Sequence, residues 1–214
     1  MKLQIASDLH HQFSGAGLAT SRALAVSPEA DVLVLAGNIH SGEQAVSTYQ
    51  QSKVPVIWVH GNHELHGSDV DEAREGFAST AVAGPVKYLE RTEFSLGDIR
   101  FLGCCLWTDY SVGPQSREVT MREANRFMVD HRLIRKGSRP FKAEDAAYEH
   151  LNSLSWLKGA LQKRVKGRTV VVTHFAPSKR SIPQALHSEV FAGTFASSLV
   201  SRVRNSLPYL RCVY

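Results

Sequence analysis

Short, largely apolar runs recur along this chain, and each stops at a turn that carries carboxylate, amide or imidazole groups. Pro55-Val56-Ile57-Trp58-Val59-His60 runs into Gly61-Asn62-His63-Glu64. The chain opens on Leu3-Gln4-Ile5-Ala6 followed by Ser7-Asp8-Leu9-His10, and Val32-Leu33-Val34-Leu35-Ala36 leads to Gly37-Asn38-Ile39-His40. A fourth segment, Thr169-Val170-Val171-Val172-Thr173, ends on His174. Apolar runs of this length bounded by turn signals read as buried strands. Four strands that end in metal-competent or acid/base side chains describe a site built at the strand ends of a sheet.

Strand signals fall at about 2–6, 31–36, 55–60, 86–90, 98–107, 169–174 and 209–213. Helical stretches, Leu18 to Val26, Glu43 to Gln51 and Asp69 to Ser79, separate the early ones. Such alternation predicts an α/β arrangement. The pair turning at Gly97-Asp98, between Glu93-Phe94-Ser95-Leu96 and Ile99-Arg100-Phe101-Leu102, adds antiparallel strands. A mixed sheet or two stacked sheets follows. Ser116 to Lys142 has a helical but polar pattern with Arg-rich turns and Pro140, and reads as an excursion over the surface and over the site. Asp145 to Val165 reads as an amphipathic helix with Ala147, Leu151, Leu154, Leu157 and Leu161 on one face, Asp145 in its first turn and Gly167 at its end. Residues 1–214 read as a single domain without repeats or linkers.

Hydrophobic residues make up 43% of the 214 and charged residues 21%, the balance of a soluble globular chain. The formal net charge of +5 raises the question of an acidic partner. The basic residues are scattered, however, and Lys163-Arg164-Val165-Lys166-Gly167-Arg168 reads as a solvated helix end, so nucleic acid is not the expected partner. Cys104 and Cys105 are adjacent within a strand pattern and point to opposite faces, so with Cys212 they form no disulfide framework. They read as core residues of a reduced, cytoplasmic protein. No apolar run approaches the ~20 residues that span a bilayer, and no signal-peptide pattern precedes the first strand.

Taken together, Asp8, His10, Asn38, Asn62, His63 and His174 offer hard oxygen ligands and neutral imidazoles, most of what a dinuclear phosphoester-hydrolysing centre needs. In sequence, Ser7-Asp8-Leu9-His10, Gly37-Asn38-Ile39-His40, Gly61-Asn62-His63-Glu64 and Thr173-His174-Phe175-Ala176-Pro177 resemble successive blocks of the calcineurin-like metallophosphoesterase family, whose pattern is D-x-H, G-D, G-N-H-D/E, a lone H, and G-H-x-H. Trp107-Thr108-Asp109 and Met128-Val129-Asp130-His131-Arg132 are similar to segments of a bacterial subgroup of small, single-domain members. The resemblance implies two stacked mixed β-sheets flanked by helices, a metallophosphoesterase-like α/β (α+β) sandwich. It implies two divalent metal ions (Mn, Fe or Zn), with Asp8 and His10 on the first, Asn62 and His174 on the second, and residue 38 between them. His63 would be the imidazole that works on the leaving group of a small-molecule phosphoester substrate. His40 and Asp109 stand near the pocket rim or are structural, and His11, His60 and His66 are neighbours of the motifs.

Two departures bear on activity. The pattern calls for aspartate where this chain has Asn38, a neutral amide that makes a poor bridge. The G-H-x-H block does not occur, since Leu210-Arg211-Cys212-Val213-Tyr214 reads as the strand that should deliver it, after a helix over 197–205. The expectation is therefore a C-terminally truncated phosphoesterase with weak metal binding and slow or absent turnover. The alternatives are a non-catalytic phosphate- or nucleotide-binding pseudoenzyme and an inactive truncated gene product, with nucleic-acid binding last.

Overall fold

The computed structural model describes residues 1–13, 23–82, 84–182, 184–185 and 192–197, and the backbone of 211–213. Four strands, β1 (Leu3–Ala6), β2 (Val32–Ala36), β3 (Val56–Val59) and β4 (Val86–Tyr88), form one sheet in that order, every neighbouring pair parallel. A second sheet is ordered β10-β9-β6-β5, from β5 (Thr92–Leu96), β6 (Ile99–Cys104), β9 (Arg168–Thr173) and β10 (Arg211–Val213). Within it β5 and β6 form the antiparallel hairpin turning at Gly97-Asp98, while β6, β9 and β10 run parallel. The two expected sheets are thus present, and the mixed character is carried by the second. The surface excursion contains a small hairpin of β7 (Arg135–Lys136) and β8 (Arg139–Pro140).

Side-chain alternation explains the stacking. Val32, Val34 and Ala36 of β2 and Ile57 and Val59 of β3 face Ile99 and Phe101 of β6 and Val170 and Val172 of β9 in one buried layer. The residues between them, Leu33, Leu35, Val56, Trp58, Leu102, Cys104 and Val171, face outward into a larger core beneath the helices. Strands covered on both sides need continuous apolar sequence, which is what these runs have. Each large side chain so buried contributes ~1.5–3 kcal/mol before entropy is counted.

The helices are α1 (Gln44–Ser47), α2 (Val70–Thr80), α3 (Arg117–Phe127), α4 (Asp130–Leu133), α5 (Ala143–Gln162) and α6 (Ala192–Phe195). Asp69 caps α2 by accepting from the Asp71 and Glu72 N–H groups. Asp145 sits in the first turn of α5 and accepts from the Lys142 N–H at 2.8 Å. The buried stripe of α5 runs through Ala143, Ala146, Ala147, His150, Ser153, Leu154, Leu157 and Ala160, and Leu151 lies off it, 55% exposed.

The expected helix over Leu18–Val26 does not form where it is described. Residues 23–26 are irregular, held beside β1 by the Gln4 side chain, whose amide donates to the Ala25 carbonyl and accepts from the Ser27 N–H. Residues 18–22 of that stretch, and nearly all of the expected helix over 197–205, lie outside the described residues. Strand β6 stops at Cys104, short of 107, because Leu106 and Trp107 take left-handed backbone angles (φ 76° and 47°) that turn the chain away.

Candidate active site

The parallel strands β1, β2, β3 and β9 deliver Asp8, Asn38, Asn62 and His174 just beyond their C-terminal ends, the usual edge for a site in such sheets. The first two loops are zipped together by backbone bonds of 3.0 Å, from the N–H groups of Asp8, His10 and His11 to the carbonyls of Gly37, Asn38 and Ile39. Asp8, His10 and Asn38 have φ of 52°, 45° and 56°. Left-handed backbone at non-glycine residues carries strain, and its concentration at three candidate residues fits a built site.

Two glycines allow the loops to close. A Cβ on Gly37, itself at φ 88°, would lie 2.5 Å from His174 Nδ1, and one on Gly61 would overlap the Asn38 side chain and His174 Nε2. Beneath them is Glu64, wholly buried. Its carboxylate accepts from the N–H groups of Gly61 (2.7 Å), Asn38 (3.0 Å), Ile39 (2.6 Å) and His40 (3.4 Å). It ties the β2 and β3 turns into one unit and faces backbone instead of ligand.

Above this floor the predicted residues gather. His10 Nε2 lies 3.8 Å from Asp8 Oδ1, and the His10 and His63 rings meet edge-on at 4.5 Å between centroids. Asn38 donates from Nδ2 to Asp8 Oδ1 and accepts at Oδ1 from the His63 N–H, both at 3.0 Å. His174 Nδ1 lies 2.9 Å from the Ala36 carbonyl, and its Nε2 faces Asn62 Oδ1 at 3.1 Å. Burial first, then the neighbouring His66 and His10, push the His63 imidazole down to about 4, with Asp130 opposing, so it is neutral near pH 7.

The remaining histidines divide clearly. His60 is fully buried behind the site against the Tyr88 hydroxyl (2.9 Å), and burial, then Arg74, hold it well below the ordinary imidazole value. His11 bonds the Tyr49 hydroxyl, and His40 Nδ1 accepts from the Ser41 N–H. Asp109 shapes a turn with Ser111 and Arg117 and does not join the cluster. Asp130, at the start of α4, joins the cluster although it follows none of the apolar strand runs. Its Oδ1 accepts from Asn62 Nδ2 (2.8 Å) and His66 Nε2 (2.7 Å). Burial alone would raise this carboxyl, but the His66 and Asn62 bonds outweigh it and hold it below the ordinary carboxylate range. The only hint in sequence was the similarity of Met128–Arg132 to a family segment.

A metal fits these donors in part. A carbonyl accepts only, so the Ala36 bond requires a proton on His174 Nδ1 and leaves the Nε2 lone pair facing the Asn62 oxygen. Two acceptors at 3.1 Å repel unless a proton or cation lies between them. Asp8 and His10 fit less well, because the Gln12 amide donates to His10 Nδ1 (3.4 Å) and the proton of a neutral ring then sits on Nε2, 3.8 Å from Asp8 Oδ1. Asn38 fits less well, since its N–H, not its oxygen, faces Asp8. Among the described residues no group of three or more His, Cys, Asp or Glu is arranged to hold a metal ion.

Residues 1–200 match the sequence profile of calcineurin-like phosphoesterases. The crystal structure of a phosphopantetheinyl hydrolase from Mycobacterium tuberculosis superposes with a TM-score of 0.68 at 20% identity, over 99% of this chain and 79% of that one. At that identity the likeness establishes a shared fold. No curated protein matches significantly.

Proposed function

The chain belongs to the calcineurin-like phosphoesterase family, and on that premise we propose that it is a metal-dependent hydrolase of a small-molecule phosphate mono- or diester. The observation that carries the proposal is the convergence of His174 Nε2 and Asn62 Oδ1 to 3.1 Å, each side chain fixed by a partner on its far side. Asp8 and His10 would hold a first divalent ion and Asn62 and His174 a second, with residue 38 between. Manganese, iron and zinc all suit mixed nitrogen and oxygen donors. Bound there, the ions would neutralise the phosphoryl oxygens and supply hydroxide at neutral pH.

The chain's own residues supply the rest. His63 joins the cluster with its backbone N–H fixed by Asn38 and its ring between His10 and His66. Its proton is off near neutrality, and an anionic phosphate beside it favours the protonated ring. The phosphate's negative charge favours proton uptake by His63 and the two cations would oppose it, and a ring protonated on substrate binding is placed to protonate a leaving alkoxide.

Asn38 attenuates this activity. Its Nδ2–H bond to Asp8 stands where a shared anion is wanted, so two cations would face each other with one negative charge fewer. That same bond favours a second reading, a phosphate- or nucleotide-binding protein without turnover. Two measurements separate them: release of para-nitrophenol from aryl phosphate mono- and diesters with and without Mn2+, and binding of inorganic phosphate. A phosphopantetheinyl substrate belongs in the panel because of the structural neighbour. Slow, Mn2+-dependent release that accelerates in Asn38→Asp supports the phosphoesterase. Phosphate binding with no release by either chain would sink it. The buried free thiols Cys104 and Cys105 suit a reducing, cytoplasmic setting. Among the described residues no helix is long and apolar enough to cross a membrane.

A further inference from the structure

We propose that Asp130 is a positioning residue that sets which end of the Asn62 amide faces the site, and so decides whether His174 is open to a cation. This rests on the reading of Asn62 and His174 as metal ligands. An asparagine side chain has two nearly isosteric ends, and its neighbours fix the choice. Here the oxygen faces His174 Nε2 (3.1 Å), and when the ring's single proton lies on Nδ1 against the Ala36 carbonyl the contact sets two acceptors against each other. The opposite rotamer would turn Nδ2–H onto that lone pair and satisfy the imidazole. It would also close the donor pair, since the nitrogen ligand would be engaged and the amide oxygen turned away.

What opposes that relaxation is Asp130. Its carboxylate only accepts, and its Oδ1 lies 2.8 Å from Asn62 Nδ2. Flipping Asn62 would set oxygen against oxygen at a carboxylate that is 4% exposed, where the repulsion is poorly screened. The carboxylate is itself anchored. His66 Nε2 donates to the same Oδ1 at 2.7 Å, and the Val129–Ile134 segment is tied to the β3 turn by the Gly67 N–H to Leu133 carbonyl bond of 2.9 Å. Asp130 touches neither proposed cation nor substrate, and it acts through Asn62.

The test is Mn2+ association, read from loss of the free-ion electron paramagnetic resonance signal, on the full chain. His174→Ala defines the share of binding that belongs to this centre. Asp130→Ala is expected to reduce that share ~10–100-fold, the usual cost of removing a partner that orients a ligand. The discriminating background is Asn62→Asp, whose two oxygens are equivalent and leave nothing to flip. There Asp130→Ala should give no loss, and relief of the carboxylate pair should give a gain. Equal loss in both backgrounds would make Asp130 a packing residue and overturn the proposal, as would full binding by Asp130→Ala alone. The near-isosteric Asp130→Asn, whose amide accepts or donates, should fall between, and it keeps the test open if the alanine variant unfolds. Mn2+ binding that His174→Ala leaves unchanged would instead overturn the ligand reading, and this inference with it.

Discussion

Glu64 and Asp8 are both carboxylates on turns that follow a strand, yet they do opposite work. Glu64 is sealed and accepts four backbone N–H groups, whereas the Asp8 side chain is 53% exposed at the pocket. Glu64→Ala would strand buried donors and is expected to cost at least ~3 kcal/mol, read as a lower urea midpoint. Asn38→Asp should act in the other direction on ligand binding. One of its oxygens would still accept the His63 N–H and the other would face Asp8, so the metal-free chain loses stability while Mn2+ stabilises it more than wild type. A thermal shift with and without Mn2+ checks this, and an identical shift in both chains would refute it. At this scale the gathering of Asp8, His10, Asn38, Asn62, His63 and His174 was legible from their places after apolar strands. The jobs of Glu64 and Asp130 were not, because spacing says which carboxylates arrive but not whether they meet a ligand, a backbone amide or another side chain.

Between elements, the chain relies on a buried ionic bridge. Arg74 of α2 and Arg91 beside β5 meet Glu149 of α5 at 2.8 and 2.7 Å, and Glu90 lies 3.8 and 3.4 Å from the same two guanidinium groups. Glu149 and Glu90 side chains are 7% exposed and Arg74 is 10% exposed. Removing one member of such a set leaves uncompensated charge, so Glu149→Ala should lower stability by ~3–5 kcal/mol, whereas an apolar replacement of the whole set need not. Equilibrium unfolding of the variant measures it, and a loss under ~1 kcal/mol would mean that water reaches the network. Most elements were legible because their apolar periods are set by packing on both sides. The failures were tertiary: the Gln4 side chain holds residues 23–27 out of a helix, and left-handed Leu106 and Trp107 end a strand whose composition would continue it.

For the whole molecule, pH is the informative variable. His11, His40, His60, His63 and His131 all hold protons less tightly than free imidazole, burial being the largest cause for each. The unfolded chain therefore binds more protons between the ordinary value of 6.5 and the folded values, about 4 for His63. Stability from this source is complete above 6.5 and is lost as pH falls through that window. Glu90, raised by burial, works against the trend, and the depressed Asp69, Asp130, Asp145 and Glu149 extend the loss to lower pH. The urea midpoint should hold level from pH 7.5 to about pH 6.5 and drop from there to pH 5, and a flat profile over the lower range would contradict the burial of these rings. The strand runs and the Gly97-Asp98 hairpin left one mixed sheet and two stacked sheets open, and the family resemblance pointed to the two-sheet sandwich that forms. The parallel pairing of the whole first sheet was not, because periodicity does not carry strand direction. One bond joins these scales: His174, after β9 in one sheet, reaches the Ala36 carbonyl of β2 in the other. The pocket is thus a gauge of the spacing between the sheets. Thinning the layer between them, as Val34→Ala would, should detune the imidazole without touching a polar atom, and a cation held by Asn62 and His174 would act as a removable cross-link that clamps the two halves together.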